Sequence, residues 1–144
     1  MHDENLDVGG NDIDVTFGGT STNLHHIWDT NMPEKDAGGS TITTAQSYAN
    51  TLITALNSGA YASEKAGWIS GMDINDPVTT AMTWATDANS YVCSTVLKQG
   101  ISYVENNDLS GAYYTTAKPV FEALIARAGY RMAAWLNLIA ENAP

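Results

Sequence analysis

The chain has 144 residues with a hydrophobic content of 44% and a charged content of only 15%, enough to bury the core of one globular domain. Six Lys and Arg against sixteen Asp and Glu leave a net charge of −10, which excludes binding of polyanions through a basic stripe. No run of eighteen apolar residues crosses a membrane, and Met1-His2-Asp3-Glu4 lacks both the basic and the apolar part of a secretory leader.

The alternation of Ile13, Val15 and Phe17 predicts one short strand, a turn at Gly18-Gly19 and a return strand. A helix over residues 23–31 follows and is expected to end before Pro33. Glu34 to Ser40, with its paired glycines, reads as a loop. Next, Ala45, Tyr48, Ala49, Leu52, Ile53 and Leu56 recur at helical spacing, with Thr41 or Thr43 as the cap and Gly59 just past the end. A short helix around Ser63 to Ile69 comes after it.

Asp76-Pro77 is a start signal, a capping Asp before Pro at the first helical position. Val78, Met82, Ala85, Asn89, Val92 and Val96 carry that helix to about Leu97. The loop Asn106-Asn107-Asp108 precedes a long terminal helix with the stripe Phe121, Leu124, Ala128, Met132, Trp135 and Ile139, kinked by Pro119. Trp68, Trp84 and Trp135 fall on these stripes and are expected in the core. The architecture is all-α with one β-hairpin near residues 12–22, in a single domain over 1–144, without internal repeats.

The chemistry concentrates at the start. All three histidines, His2, His25 and His26, lie within the first 33 residues, among six of the sixteen carboxylates. Imidazole plus carboxylate is the ligand set of a zinc site with one position open to substrate. On a helix, His25 and Asp29 are four apart and share a face; His2 supplies a third ligand from another element. The bland reading is an exposed His–carboxylate pair worth a few tenths of a kcal/mol, and His26 with Asp29 offers a second register. Calcium fits poorly. Gly9 to Asp14 nearly matches a β-roll nonapeptide, but Asp12 stands where Gly belongs, the motif occurs once, and the EF-hand pattern fails for want of a closing Glu.

The literal strings His2-Asp3-Glu4, Val8-Gly9-Gly10-Asn11-Asp12-Ile13 and Asn23-Leu24-His25-His26-Ile27-Trp28-Asp29 closely resemble the fungal single-strand-specific zinc nucleases, the nuclease P-one and nuclease S-one family, distant relatives of zinc phospholipase C. Looser similarity continues through Trp84, Asp87, Asn89 and Cys93 to Gly129-Tyr130-Arg131 and Trp135-Leu136-Asn137. The resemblance implies that His2, His25 and Asp29 bind the zinc standing apart from the other two of the family's three. It also implies that Asn11 hydrogen-bonds a nucleobase edge while Val8 packs on its face. Members are roughly twice this length, so the chain corresponds to a C-terminal half.

Several family features are absent from this sequence. The amino-terminal Trp that chelates zinc is replaced at the chain start by Met1, and the ligands of the paired zincs, with their bridging Asp, are missing. Thr20 and Asn31 occupy positions that are aromatic in some members. By resemblance, Cys93, the one cysteine, is half of a disulfide whose partner lies in the missing half; by itself a lone Cys reads as a small buried residue. The implied activity is zinc-dependent endonuclease cleavage of single-stranded DNA and RNA with 5′-phosphate products and a 3′-nucleotidase side activity, by a secreted protein. One zinc per chain is expected here. The implied partners are single-stranded nucleic acid, nucleotides and the N-terminal half. The alternative is an inactive zinc- and nucleotide-binding module, or a surface or immune-recognition protein.

Overall fold

The computed structural model describes residues 7–142. The chain is all-α apart from one hairpin, as the periodicities predict. Strands β1 (Asp14–Phe17) and β2 (Thr20–Asn23) pair antiparallel, Asp14 opposite Asn23 and Phe17 opposite Thr20. Gly18 and Gly19 both take positive φ, +61° and +75°, the backbone that a two-residue hairpin turn requires. Asp108 clamps the turn from 90 residues away, its carboxylate accepting from the Gly18 and Gly19 amides at 3.0 and 2.8 Å. The inward residues Ile13 and Val15 are buried, so the alternation read from the sequence is the alternation the core uses.

Asn23 ends β2 and caps the next helix, its side chain accepting from the His26 amide at 2.8 Å. Helix α1 (Leu24–His26) runs into a π-helical turn, Ile27–Asn31, and then into α2 (Met32–Ala37). The predicted stop before Pro33 is therefore corrected, as is the predicted loop from Glu34. Pro33 sits in the first turn of α2, where its missing N–H costs nothing, and the chain stops only at Gly38, which caps in the left-handed conformation at φ +81°.

Thr41 caps α3 (Ile42–Ser58) by accepting from the Thr44 amide, which settles the choice between Thr41 and Thr43. Helix α4 (Lys65–Trp68) is short. Asp76 and Pro77 start α5 (Pro77–Tyr91) as expected, and a second π-helical turn, Val92–Val96, completes that segment. Helix α6 (Ile101–Asn106), absent from the sequence reading, places Val104 in the core. Helix α7 (Ala112–Glu141) carries Pro119 within it.

The main core lies beneath the hairpin, where Leu24, Ile27 and Met32 meet Val104, Leu109 and Phe121. Each fully buried side chain contributes about 1.5–3 kcal/mol. A second cluster, Leu52, Trp68 and Ala126, joins α3 and α4 to α7. Polar ties fix α2 against α7: Lys118 pairs with the buried Asp36, and the Tyr114 hydroxyl donates to the same carboxylate at 3.2 Å.

The tryptophan expectation holds only for Trp68. Trp84 and Trp135 are half-buried and meet edge to face at 5.9 Å on the wall of an open groove. Likewise Val78, Met82, Met132 and Ile139, on the same helical stripes, are 71%, 59%, 63% and 46% exposed. Among the described residues, the outer stripes of α5 and the second half of α7 have no layer over them.

Candidate metal and nucleotide site

The site is built on α1 and the π-helical turn behind it. His25 Nε2 lies 2.8 Å from Asp29 Oδ2, so the helical spacing does bring imidazole and carboxylate together. The His25 side chain is 19% exposed and that of Asp29 66%, leaving the pair anchored at one end and open at the other. The turn between them is π-helical, with the Met32 amide bonded to the Ile27 carbonyl five residues back. Such single-turn insertions cluster at functional sites because they re-aim side chains without ending a helix.

The second ring nitrogen decides how His25 is presented. Nδ1 lies 3.2 Å from the Gly9 carbonyl, which can only accept, so Nδ1 carries the proton in that contact. In the neutral ring, the Nε2 lone pair then faces a carboxylate oxygen. Two electron-pair donors this close are satisfied by a proton or a cation between them. Tetrahedral zinc with bonds of about 2.0–2.1 Å holds N and O donors about 3.3–3.4 Å apart, so the pair would open by about 0.5 Å to take the ion, and the donor types suit zinc. A backbone carbonyl on the far nitrogen is also the usual outer-shell partner of a metal-bound His.

His26 is exposed, and the pairing found for Asp29 is with His25; the register left open in the sequence is settled in favour of His25. His2, the third expected ligand, lies outside the described residues. Among the described residues no group of three or more His, Cys, Asp or Glu forms a metal cluster.

Val8 and Asn11 stand beside this pair because Gly9, which contacts His25, lies between them. The loop is tightly wound. Val8 takes φ +47° and ψ +47°, a left-handed conformation that is a genuine outlier for a β-branched residue. Its side chain is 60% exposed, so the strain, of order 1–3 kcal/mol, is not offset by burial of Val8 itself. The Asn11 side-chain amide donates to the Val8 carbonyl at 2.9 Å, holding the loop closed, and Asn11 is exposed. An exposed apolar face next to an amide is the chemistry a base plane and base edge require.

Trp28, quoted in the sequence reading only as part of the motif string, and Tyr113, which that reading did not single out, lock the π-helical turn in place. Trp28 Nε1 donates to the Tyr113 hydroxyl at 2.8 Å, and that hydroxyl donates to the Val96 carbonyl at 3.0 Å. The relay ties one π-helical turn to the other across α7. Burial pushes the Tyr113 phenol well above its ordinary range, more than the Trp28 hydrogen bond lowers it, so the hydroxyl keeps its proton.

A groove of about 780 Å³ opens beside the pair, with His25, Trp28 and Asp29 at one end and Trp84, Arg131 and Trp135 along it. Asp87 neutralises its cationic edge, accepting from Arg127 at 2.7 and 2.9 Å and from Arg131 at 2.8 Å. Burial opposes the Asp87 charge, but the two arginines outweigh it and hold the carboxyl below its usual value. Cys93, expected to be buried on the bland reading, is exposed and unpaired among the described residues.

Comparison with known proteins places these residues in context. The family model described as S1/P1 Nuclease matches residues 1–141. The chain is 60% identical to Nuclease S1 of Aspergillus oryzae over 142 residues, covering 99% of this chain and 50% of that protein. It is 45% identical to Nuclease P1 of Penicillium citrinum over 139 residues, 96% of this chain and 52% of that one. Endonuclease 3 of Arabidopsis thaliana is 26% identical over 138 residues, 92% and 43% respectively. The chain thus spans about half the length of the curated relatives it matches.

Proposed function

We propose that this chain, which belongs to the S1/P1 nuclease family, supplies one zinc site and part of the base pocket of a zinc-dependent endonuclease. The substrates are single-stranded DNA and RNA, cleaved to 5′-phosphate products, with 3′-nucleotides as a lesser substrate. The observation that carries the reading is the His25–Asp29 pair at 2.8 Å, its ring set by Gly9 and its open side next to the strained Val8–Asn11 loop.

His25 and Asp29, with His2, would hold the metal; when bound, zinc supplies a Lewis acid that stabilises charge developing on phosphate and leaving oxygen. The chain's own residues do the rest. The Gly9 carbonyl accepts from Nδ1, which leaves the Nε2 lone pair turned to Asp29. Asp29 balances cationic charge at the site. Val8 offers an apolar face to a base, and Asn11 offers its amide to the base edge. With only six Lys and Arg, the chain is suited to bind nucleic acid through metal and stacking rather than through a basic track. The groups that activate the attacking water belong to the half of the family's length outside this match. By likeness to the family, the protein works outside the cell.

Cleavage of single-stranded DNA tests this reading. The chain joined or mixed with the N-terminal half of a relative should cleave, with activity lost on chelation and on His25→Ala. The chain alone should bind nucleoside monophosphates weakly and cleave far more slowly. Strong cleavage by the chain alone, lost on His25→Ala, would contradict the assignment of the nucleophile to the other half.

A further inference from the structure

The metal pair and the base-facing loop are joined through one peptide unit. Asp7, Val8, Gly9 and Gly10 all take positive φ, +59°, +47°, +67° and +92°, so four consecutive residues wind left-handed. L-residues other than Gly enter that region one at a time, and a β-branched Val rarely enters it at all. The turn faces two ways. Its outer side carries the Val8 side chain, 60% exposed, with exposed Asn11 beside it. Its inner side is the buried backbone of Gly9 and Gly10, where the Gly9 carbonyl accepts from His25 Nδ1 at 3.2 Å.

The frame around the turn is fixed. The Val8 carbonyl accepts from the Asn11 side-chain amide at 2.9 Å, and the Asp7 carbonyl accepts from the Asp12 amide at 3.1 Å. Just beyond, the Leu24 amide donates to the Ile13 carbonyl at 2.9 Å, and both side chains are buried. The torsions that aim the Gly9 carbonyl, Gly9 ψ and Gly10 φ, lie between Val8 and Asn11. The aim of that carbonyl and the spacing of the two base-facing groups are therefore set together.

We propose that Gly9 is a positioning residue that couples the two sites: zinc at His25 tightens nucleobase binding at Val8 and Asn11, and a base tightens zinc in equal measure. This rests on the reading above for both occupants. The cause is charge acting through one hydrogen bond. A cation on Nε2 makes Nδ1–H a stronger donor to the Gly9 carbonyl, because charge-assisted hydrogen bonds exceed neutral ones. The stronger bond holds the left-handed turn against its strain, and a turn already held costs an arriving base less ordering. Linkage makes the effect reciprocal, and no phosphate has to touch the metal for it to operate.

The test uses the 144-residue chain and 9-methyladenine, a base with neither sugar nor phosphate to reach the metal. Base affinity is read by magnetic resonance titration with and without saturating zinc, and zinc affinity by competition calorimetry with and without the base. Each should tighten the other by the same factor, at least about 5-fold. The Gly10 amide nitrogen, in the same peptide unit as the Gly9 carbonyl, should shift on adding zinc alone. Gly9→Val puts a second β-branched residue in the left-handed run and alters no ligand or base-facing side chain. It should lower zinc affinity about 10- to 100-fold and abolish the coupling. Gly9→Ala should do so to a lesser degree, and His26→Ala should leave the coupling intact. Circular dichroism separates a lost coupling from a lost fold, and the wild-type titrations decide the matter even if Gly9→Val does not fold. Base affinity that zinc leaves unchanged would overturn the coupling while the zinc site stands. Coupling that persists in folded Gly9→Val would overturn the role of Gly9. A chain that binds no zinc, or binds zinc but no base, would refute the functional reading and the coupling with it.

Discussion

His25 and Asp29 meet at 2.8 Å across a turn that is π-helical rather than α-helical. A sequence argument from regular helical spacing reaches the right pair through a local geometry it does not anticipate. The turn survives because residues on either side of it are anchored: Leu24, Ile27 and Met32 are fully buried, and Trp28 is hydrogen-bonded to Tyr113.

The relay through Tyr113 should therefore matter for stability more than its single hydroxyl suggests. Tyr113→Phe keeps the ring and its edge-to-face contact with Trp28 but orphans the Trp28 N–H and the Val96 carbonyl. The expected loss is about 1–3 kcal/mol in denaturant unfolding. An unchanged midpoint would show that the relay is incidental.

Asp87 predicts an acid limit. Its carboxyl is held below the ordinary value, so its contribution is present above the unfolded pKa of about 3.9 and is lost as pH falls through the folded one. Stability should drop as pH goes below about 4, and Asp87→Asn should flatten that drop. Asp87→Ala leaves the Arg127 and Arg131 side chains, 12% and 13% exposed, without their carboxylate. After allowance for screening at a partly exposed site, the cost should be about 1–3 kcal/mol. Unfolding midpoints of both variants across pH 2.5–7 (an assay range spanning the carboxylate values) check the sign.

Cys93 is exposed and should titrate fully with a thiol reagent in the native protein. An oxidising buffer should yield a disulfide-linked dimer that Cys93→Ser abolishes. A thiol that reacts only after denaturation would contradict the structure.

What was legible in the sequence was what local chemistry dictates. Gly18-Gly19 admits a tight hairpin turn, Asn23, Thr41 and Asp76 cap helices, and the Ile13–Val15 alternation marks the buried face. Pro33 misled because Pro is tolerated in a first turn, and nothing local says that a helix restarts at Met32. The strain at Val8 and the Gly9 contact with His25 are tertiary facts, belonging to the contact of the Asp7–Gly10 turn with α1. Trp84 and Trp135 lie on proper apolar stripes, yet a stripe reveals that something covers it, not that the cover lies within the same chain segment. Helix α6 is too short for its period to register.

The central claim is that His25 and Asp29, with His2, form a zinc site, and zinc content per chain measures it most directly. Protein purified with excess zinc and then dialysed should retain one ion per chain by elemental analysis. His25→Ala and Asp29→Ala should each reduce it to background, while His26→Ala should leave it at one. Absence of zinc from the wild-type chain, or equal losses from His25→Ala and His26→Ala, would contradict the account.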